Sequence, residues 1–182
     1  MIGTLILVLL AFILLMGVYY SNRIIILSNR VDNAWSQIDV QLKKRADLVP
    51  NLVETVKGYM KHERSVIASI TKARERMLGA KTDEEKIKAD REIAGALKTI
   101  FALAENYPKL KANENFMMLQ EELSGIENKI AYARQFYNDS ILAYNNLVST
   151  FPGVFFAKIL GKEKKKHLEI GESERKPVKV EF

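Results

Sequence analysis

The sequence predicts an all-α protein with an N-terminal transmembrane helix followed by an elongated antiparallel up-and-down helical bundle. Three observations support this fold class. Residues 1–20 contain no charged side chain, apolar residues then recur with a 4-3 spacing from residue 31 to residue 77, and no segment shows the two-residue alternation of a strand. We expect one domain with its anchor, because 182 residues are too few for two full cores.

Residues 1–22 are the predicted transmembrane anchor. About twenty apolar residues match the hydrocarbon thickness of a bilayer at about 1.5 Å rise per residue, whereas a secretory signal has a basic start and a shorter apolar core. Arg23 is the first charged side chain, and Arg30, Lys43, Lys44 and Arg45 follow. Because basic residues favour the cytoplasmic side, we expect a single-pass cell-membrane protein with a short N-terminus outside and a cytoplasmic helical domain.

The longest hydrophobic seam predicts one helix from about residue 30 to residue 79. Its positions are Val31, Trp35, Ile38, Leu42, Arg45, Val49, Leu52, Val56, Tyr59, Glu63, Val66, Ile70, Ala73 and Met77. The seam crosses Pro50 without losing register, so we expect this proline to kink one helix and not to separate two. A break near Gly58, Lys61 or His62 is the alternative, and it would give four main helices instead of three.

Two further helices complete the predicted bundle, residues 23–160. The first runs from about 83 to 107, with Thr82 and Glu85 spaced as a capping box at its start and Pro108 ending it. Its seam positions are Ile93, Leu97, Ile100, Ala104 and Tyr107. The second begins near residue 113 or 115, and Pro152 and Gly153 close it. Its seam positions are Phe116, Leu119, Leu123, Ile126, Ile130, Ala133, Tyr137, Ile141, Tyr144 and Val148. The segment 161–182 is rich in Lys and Glu, and we expect it to be disordered.

Two sequence blocks resemble one known family. Residues 29–63 read NRVDNAWSQIDVQLKKRADLVPNLVETVKGYMKHE, and residues 107–157 read YPKLKANENFMMLQEELSGIENKIAYARQFYNDSILAYNNLVSTFPGVFFA. Both are similar to the signature blocks of the LemA family, and with the anchor the resemblance covers most of the chain. The resemblance implies a prokaryotic membrane protein with a helical bundle facing the cytoplasm. It implies no reaction.

The sequence offers no constellation that suits catalysis or metal binding. There is no cysteine, which excludes a thiol nucleophile and a disulfide framework. His62 and His167 are the two histidines, and neither belongs to a zinc or di-iron pattern. Basic and acidic residues are interleaved along the helices, which argues against a nucleic-acid partner. We therefore expect no enzyme, no cofactor and no metal.

Six polar residues on or beside the seams are the candidate interaction residues. They are Arg45, Glu63, Glu127, Arg134, Asn138 and Asn145. A charge at a core position is costly unless it is paired. The two asparagines lie seven residues apart and therefore on one helix face. One interpretation is that these side chains fix the register of the bundle by hydrogen bonds. The other is a polar stripe that recognises another membrane protein.

The segment 151–160 adds Phe155 and Phe156 to the candidates. Aromatic residues followed by lysines are typical of contact with a membrane surface. In a three-helix rod this segment would lie at the end far from the bilayer and would cap the bundle. In a four-helix arrangement the same segment returns towards lipid, so the number of helices decides between packing and membrane contact.

These observations predict a membrane-anchored interaction or scaffold protein. Its expected partners are membrane lipid, through the N-terminal helix, and either another membrane protein or a second copy of itself. The alternatives are a lipid-organising or membrane-shaping protein, through the basic surface and the Phe155–Phe156 segment, and a regulatory partner of a membrane protease.

Overall fold

The computed structural model describes residues 1–168, and within this range all regular secondary structure is helical. The helices are α1 (Ile2–Lys57), α2 (Arg64–Gly79), α3 (Asp83–Ala104), α4 (Pro108–Lys111), α5 (Glu114–Ser149) and α6 (Gly153–Ile159). The predicted all-α fold class is confirmed. The chain divides into two compact units. We call residues 37–132 the bundle unit, and residues 1–36 together with the chain from residue 133 the anchor unit.

The predicted single helix from residue 30 to residue 79 is wrong, and the alternative break near residue 60 is confirmed. α1 ends at Lys57, and α2 begins at Arg64. Gly58 lacks the side chain that would favour continued helix. The chain then folds back so that Met60 is fully buried, with its backbone N–H 2.8 Å from the Val56 carbonyl oxygen. Pro50 lies inside α1, so it separates no helices.

The bundle unit contains four main helices in up-down-up-down order. Lys86 Nζ lies 2.6 Å from Asp39 Oδ1, and Arg45 Nη1 lies 2.7 Å from Asp90 Oδ1. Residue numbers rise together in these two pairs, so α1 and α3 run in the same direction. The short connections at 58–63 and 80–82 return the chain through α2, as expected for antiparallel neighbours. Glu127 on α5 also meets Arg45.

The core of the bundle unit consists largely of the predicted seam positions. Its buried residues include Ile38, Leu42, Val49, Leu52, Val56, Ile70, Ala73, Met77, Ile93, Leu97, Ile100, Phe116, Leu123, Ile126 and Ile130. Burying each large aliphatic side chain stabilises the fold by about 1.5–3 kcal/mol relative to leaving it exposed. The 4-3 spacing thus identified the buried face of each helix.

The two ends of α3 follow from local chemistry. The Thr82 hydroxyl accepts a hydrogen bond from the backbone N–H of Glu85, and the Glu85 carboxylate accepts from the backbone N–H of Thr82. This confirms the predicted capping box. α3 ends at Ala104 and not at residue 107. Because the residue before a proline disfavours the helical conformation, Tyr107 is non-helical, with φ −124° and ψ 79°, and Pro108 begins α4.

The anchor unit joins the N-terminal part of α1 to the C-terminal part of α5 and to α6. Its buried cluster contains Ile24, Leu27, Val31, Ile141, Tyr144, Val148 and Ala157. α6 packs closely because Gly153 has no side chain: a Cβ there would lie 2.1 Å from the Leu147 carbonyl oxygen. Pro152 and Gly153 follow the end of α5, as predicted.

The N-terminal part of α1 leaves its apolar side chains exposed. Within residues 1–168, α1 is the helix long and apolar enough to cross a membrane, with a mean hydropathy of 2.7 over its most apolar window and none of that window buried in the protein. This agrees with the predicted anchor by length and composition. α1 continues without interruption from this stretch to Lys57.

Residues 161–168 begin the segment for which disorder was predicted. They lie outside the helices but are hydrogen-bonded to α5, with the Asn145 side chain bound to Lys165 and the Asn138 side chain bound to Leu168. Lys165 and Leu168 thus place this part of the segment against α5. Residues 169–182 lie outside the described residues, and disorder there stays a prediction.

Candidate functional site

A buried ion cluster lies in the core of the bundle unit. Arg45 and Asp90 are each 1% exposed and are joined by the 2.7 Å contact between Nη1 and Oδ1. The Nη2 atom of Arg45 donates to Glu127, which is half exposed. Arg45 Nε has no hydrogen-bond partner among residues 1–168. The cluster joins α1, α3 and α5, so these charges pair across three helices and hold them in register.

Sequence reasoning found Arg45 and Glu127 but missed Asp90. A signal was present, because the α3 seam of Ile93 and Leu97 extends backwards by three residues to position 90. A carboxylate at that position belongs to the same face as the buried aliphatic residues. Opposite a buried arginine, it is the expected counter-charge.

Glu63 lies at the start of α2 and not on a continuous seam. Its carboxylate accepts a hydrogen bond from the Tyr107 hydroxyl at 3.4 Å, and it makes no side-chain cap for α2. Nearby, the Asn113 amide donates to the Tyr59 hydroxyl at 3.4 Å. These contacts tie the turn at 58–63 to the connection that leads to α5. They serve the fold of the bundle unit.

The two candidate asparagines bind the C-terminal segment instead of neighbouring helices. Asn145 Nδ2 donates to the Lys165 carbonyl oxygen, and Asn145 Oδ1 accepts from the Lys165 backbone N–H, both at 2.9 Å. Asn138 repeats the pattern with Leu168, at 3.3 and 3.0 Å. We call residues 162–168 the strap. Arg134, one helical turn before Asn138, is half-buried.

The side chain of Lys165 is held by two further groups of the anchor unit. Its Nζ lies 2.8 Å from Asp32 Oδ1 and 5.6 Å from the centre of the Tyr144 ring. Burial and the neighbouring Asp32 carboxylate raise the pKa of Tyr144 above its usual value, so the phenol stays neutral. An ammonium group over a neutral aromatic ring and beside a carboxylate is favourably placed.

The aromatic residues of α6 lie beside the end of the apolar stretch of α1. The Phe156 ring stacks on Tyr20, with centroids 5.4 Å apart and planes 6° from parallel. Phe151, Phe155 and Ile159 are 87%, 60% and 68% exposed. The predicted three-helix arrangement, with this segment far from the anchor, is therefore wrong. In the four-helix alternative, α6 lies beside Tyr20 at the end of the predicted anchor. This is the arrangement for which the sequence predicts contact of α6 with the membrane.

Metal-binding side chains are not gathered anywhere in residues 1–168: no group of three or more His, Cys, Asp or Glu side chains lies close enough to hold an ion. The buried charges that do meet are those of the ion cluster, and there the arginine occupies the space between the carboxylates.

The described part of this chain is an all-helical protein. Its first helix contains an exposed apolar stretch and, further along, core positions of a helical bundle. A sequence model of the LemA family matches residues 34–182. The chain belongs to the LemA family. The protein LemA of Metamycoplasma hominis is 28% identical over 150 residues, which cover 77% of this chain and 67% of that relative.

Proposed function

We propose that this protein is a membrane-anchored interaction protein, without catalytic activity of its own, that presents its helical bundle in the cytoplasm to another membrane protein or to a second copy of itself. The continuity of α1 carries this proposal. One helix contains both the apolar stretch and core positions of the bundle unit, so α1 leads from the anchor into the bundle without an intervening turn. The buried ion cluster serves packing, which leaves the helix surfaces and the strap for recognition.

Chemical crosslinking in cells tests the interaction. The full-length, membrane-embedded protein carries many exposed lysines, and mass spectrometry of the crosslinked products identifies which of them reach another chain. We expect links from the bundle unit to a defined membrane protein or to a second copy. Abundant intramolecular links show that the reagent has reacted with the protein. If these are the links found, with none to another chain, the proposal is contradicted.

The orientation has its own test, because the chain has no cysteine and a single introduced thiol is a unique reporter. Arg23 and Arg30 follow the apolar stretch closely, which favours a cytoplasmic bundle. In intact cells, we expect a membrane-impermeant thiol reagent to label a cysteine carried by a short hydrophilic extension added before Met1 and to spare Thr99→Cys, an exposed position on α3. After lysis both variants should react. The reverse pattern in intact cells would place the bundle outside.

A second candidate function is contact of α6 with the lipid surface, favoured by the exposed Phe155 next to the Tyr20–Phe156 stack. Aromatic side chains prefer the interface between headgroups and acyl chains. In a Trp35→Phe background reconstituted in nanodiscs, brominated lipids should quench the fluorescence of Phe155→Trp. A tryptophan at the exposed position of Tyr132, in the bundle unit, is the matched control and should be spared. Equal quenching, or none, at the two positions would argue against this function.

A further inference from the structure

The two asparagines of α5 are spaced to match an extended peptide. Seven helical residues separate Asn138 from Asn145, which is about 10.5 Å along the helix axis at about 1.5 Å per residue. Their partners Leu168 and Lys165 are three residues apart, and an extended chain covers about 10 Å in three residues. The strap therefore runs nearly extended and antiparallel to α5, with the backbone of Lys165 and the backbone of Leu168 each paired to an asparagine side chain.

The asparagine contacts recognise backbone conformation and not side-chain identity. Each amide donates one N–H to the carbonyl oxygen of a single strap residue and accepts, through Oδ1, from the backbone N–H of the same residue. Any residue except proline can supply that pair. The choice of sequence comes from Lys165, whose ammonium group meets Asp32 and the Tyr144 ring. The site thus favours an extended segment with a basic residue opposite Asn145.

The strap contributes little to the core that it covers. Its side chains are exposed except those of Lys165 and Leu168, which are half-buried, and none belongs to the buried cluster of the anchor unit. The ion pair with Asp32 is itself partly exposed, and such pairs stabilise weakly. Displacing the strap would therefore leave the helices packed and would open a preformed row of hydrogen-bonding groups.

We propose that Asn138, Asn145, Asp32 and Tyr144 form a binding site for an extended basic peptide segment of a partner protein, and that the strap is a tethered ligand that occupies this site and competes with the partner. This inference rests on the proposed interaction function and deepens it by naming the chemistry of the partner. Partner binding would require release of the strap, so the site is regulated by its own chain.

The test uses the full-length protein in nanodiscs and a fluorescent peptide with the strap sequence, KEKKKHL. The Lys165→Ala variant weakens the tethered competitor while keeping every group of the site. We expect this variant to bind the peptide about three- to tenfold more tightly than the wild-type protein, because the tethered competitor loses a partly exposed ion pair and a cation–π contact. Fluorescence anisotropy gives both dissociation constants. Absence of binding to Lys165→Ala would overturn the inference.

Two controls separate backbone recognition from attraction of a basic peptide to any acidic surface. A peptide methylated on the backbone nitrogen of the lysine that matches Lys165 cannot donate to Asn145, and we expect about tenfold weaker binding to Lys165→Ala. Adding Asn145→Ala should abolish that difference, whereas adding Asn146→Ala, at an exposed neighbouring position, should preserve it. Equal binding of both peptides to Lys165→Ala would refute the site.

The outcome is separable from that of the proposed function. If cells yield crosslinks to a membrane protein while the peptide fails to bind, the interaction function stands and this site is refuted. If the peptide binds as described while crosslinks stay within one chain, the site stands as a peptide-binding site and the proposed membrane-protein interaction fails.

Discussion

The two units of the chain use polar side chains in opposite ways. In the bundle unit, Arg45 and Asp90 are charged, almost fully buried and directed at each other from different helices. In the anchor unit, Asn138 and Asn145 are neutral and half-buried, and they are directed at the backbone of a segment outside the helices. Buried charges that satisfy each other specify packing. Amides that bind an exchangeable segment leave a surface that can recognise another chain.

The largest expected effect comes from removing the arginine of the ion cluster. Arg45→Met should destabilise the protein by about 3–5 kcal/mol, because the buried Asp90 loses its counter-charge. The double variant Arg45→Met/Asp90→Leu should recover most of that loss, since an apolar pair can replace a buried ion pair. Chemical denaturation in detergent micelles measures the free energies of unfolding.

The exposed pair of Arg76 and Glu92 in the same unit provides the control for this experiment. Arg76→Met should change the free energy of unfolding by about 0–1 kcal/mol, as is usual for a partly solvated pair. If Arg45→Met lowered the free energy of unfolding by no more than Arg76→Met does, the buried ion cluster would not be what specifies packing in the bundle unit.

A smaller and local effect is expected in the anchor unit. Asn145→Ala removes two hydrogen bonds to Lys165, which together contribute about 1–3 kcal/mol to holding the strap. The backbone amide of Lys165 should therefore exchange its hydrogen faster, by about tenfold or more, while amides in α1 and α3 keep their protection. Hydrogen exchange followed by mass spectrometry resolves the strap from the helices. A matching loss of protection in the helices would show that the strap is part of the cooperative core.

Hydrophobic spacing predicted the buried faces of α1, α3 and α5 but not the break between α1 and α2. The spacing continues through Tyr59, Val66 and Ile70 because the chain after the turn returns to the same core. A 4-3 pattern describes which residues face the core and does not distinguish one helix from two helices joined in phase. The local signal was Gly58, where a helix former would have been expected.

The partners of the candidate site were less predictable than its residues. Asn138 and Asn145 were identified from their seven-residue spacing. The strap could not be identified as their ligand, because a run of Lys and Glu has no periodicity and the asparagines contact its backbone atoms. Hydrogen bonds to backbone leave no trace in side-chain identity. The side chain of Lys165 contacts Asp32 and the Tyr144 ring, but nothing in the sequence distinguishes it from the neighbouring lysines.

The smallest expected effect is a pH dependence of stability in the bundle unit. The hydrogen bonds between the asparagine side chains and the strap backbone, in the anchor unit, contain no titratable group and should not contribute to it. In the bundle unit, hydrogen bonds from the backbone N–H groups of Lys81 and Thr82 lower the pKa of Glu85 below its usual value. A carboxylate with a lowered folded-state pKa stabilises the protein above its unfolded pKa of about 4.3, and this contribution is lost as the pH falls through the folded pKa.

Glu85→Gln keeps an acceptor for both backbone donors and removes the titration. Between neutral pH and the folded pKa of Glu85, the wild-type protein should therefore lose stability more steeply with acid than Glu85→Gln does. Thr82→Ala is the control, because it removes the hydroxyl but keeps the backbone donors that lower the pKa. It should be less stable at every pH, by about 1 kcal/mol, with most of the acid dependence of the wild-type protein retained, because the hydroxyl contributes least to lowering the pKa of Glu85. Parallel stability curves for wild type and Glu85→Gln would instead mean that the cap stabilises α3 equally with a neutral and a charged side chain.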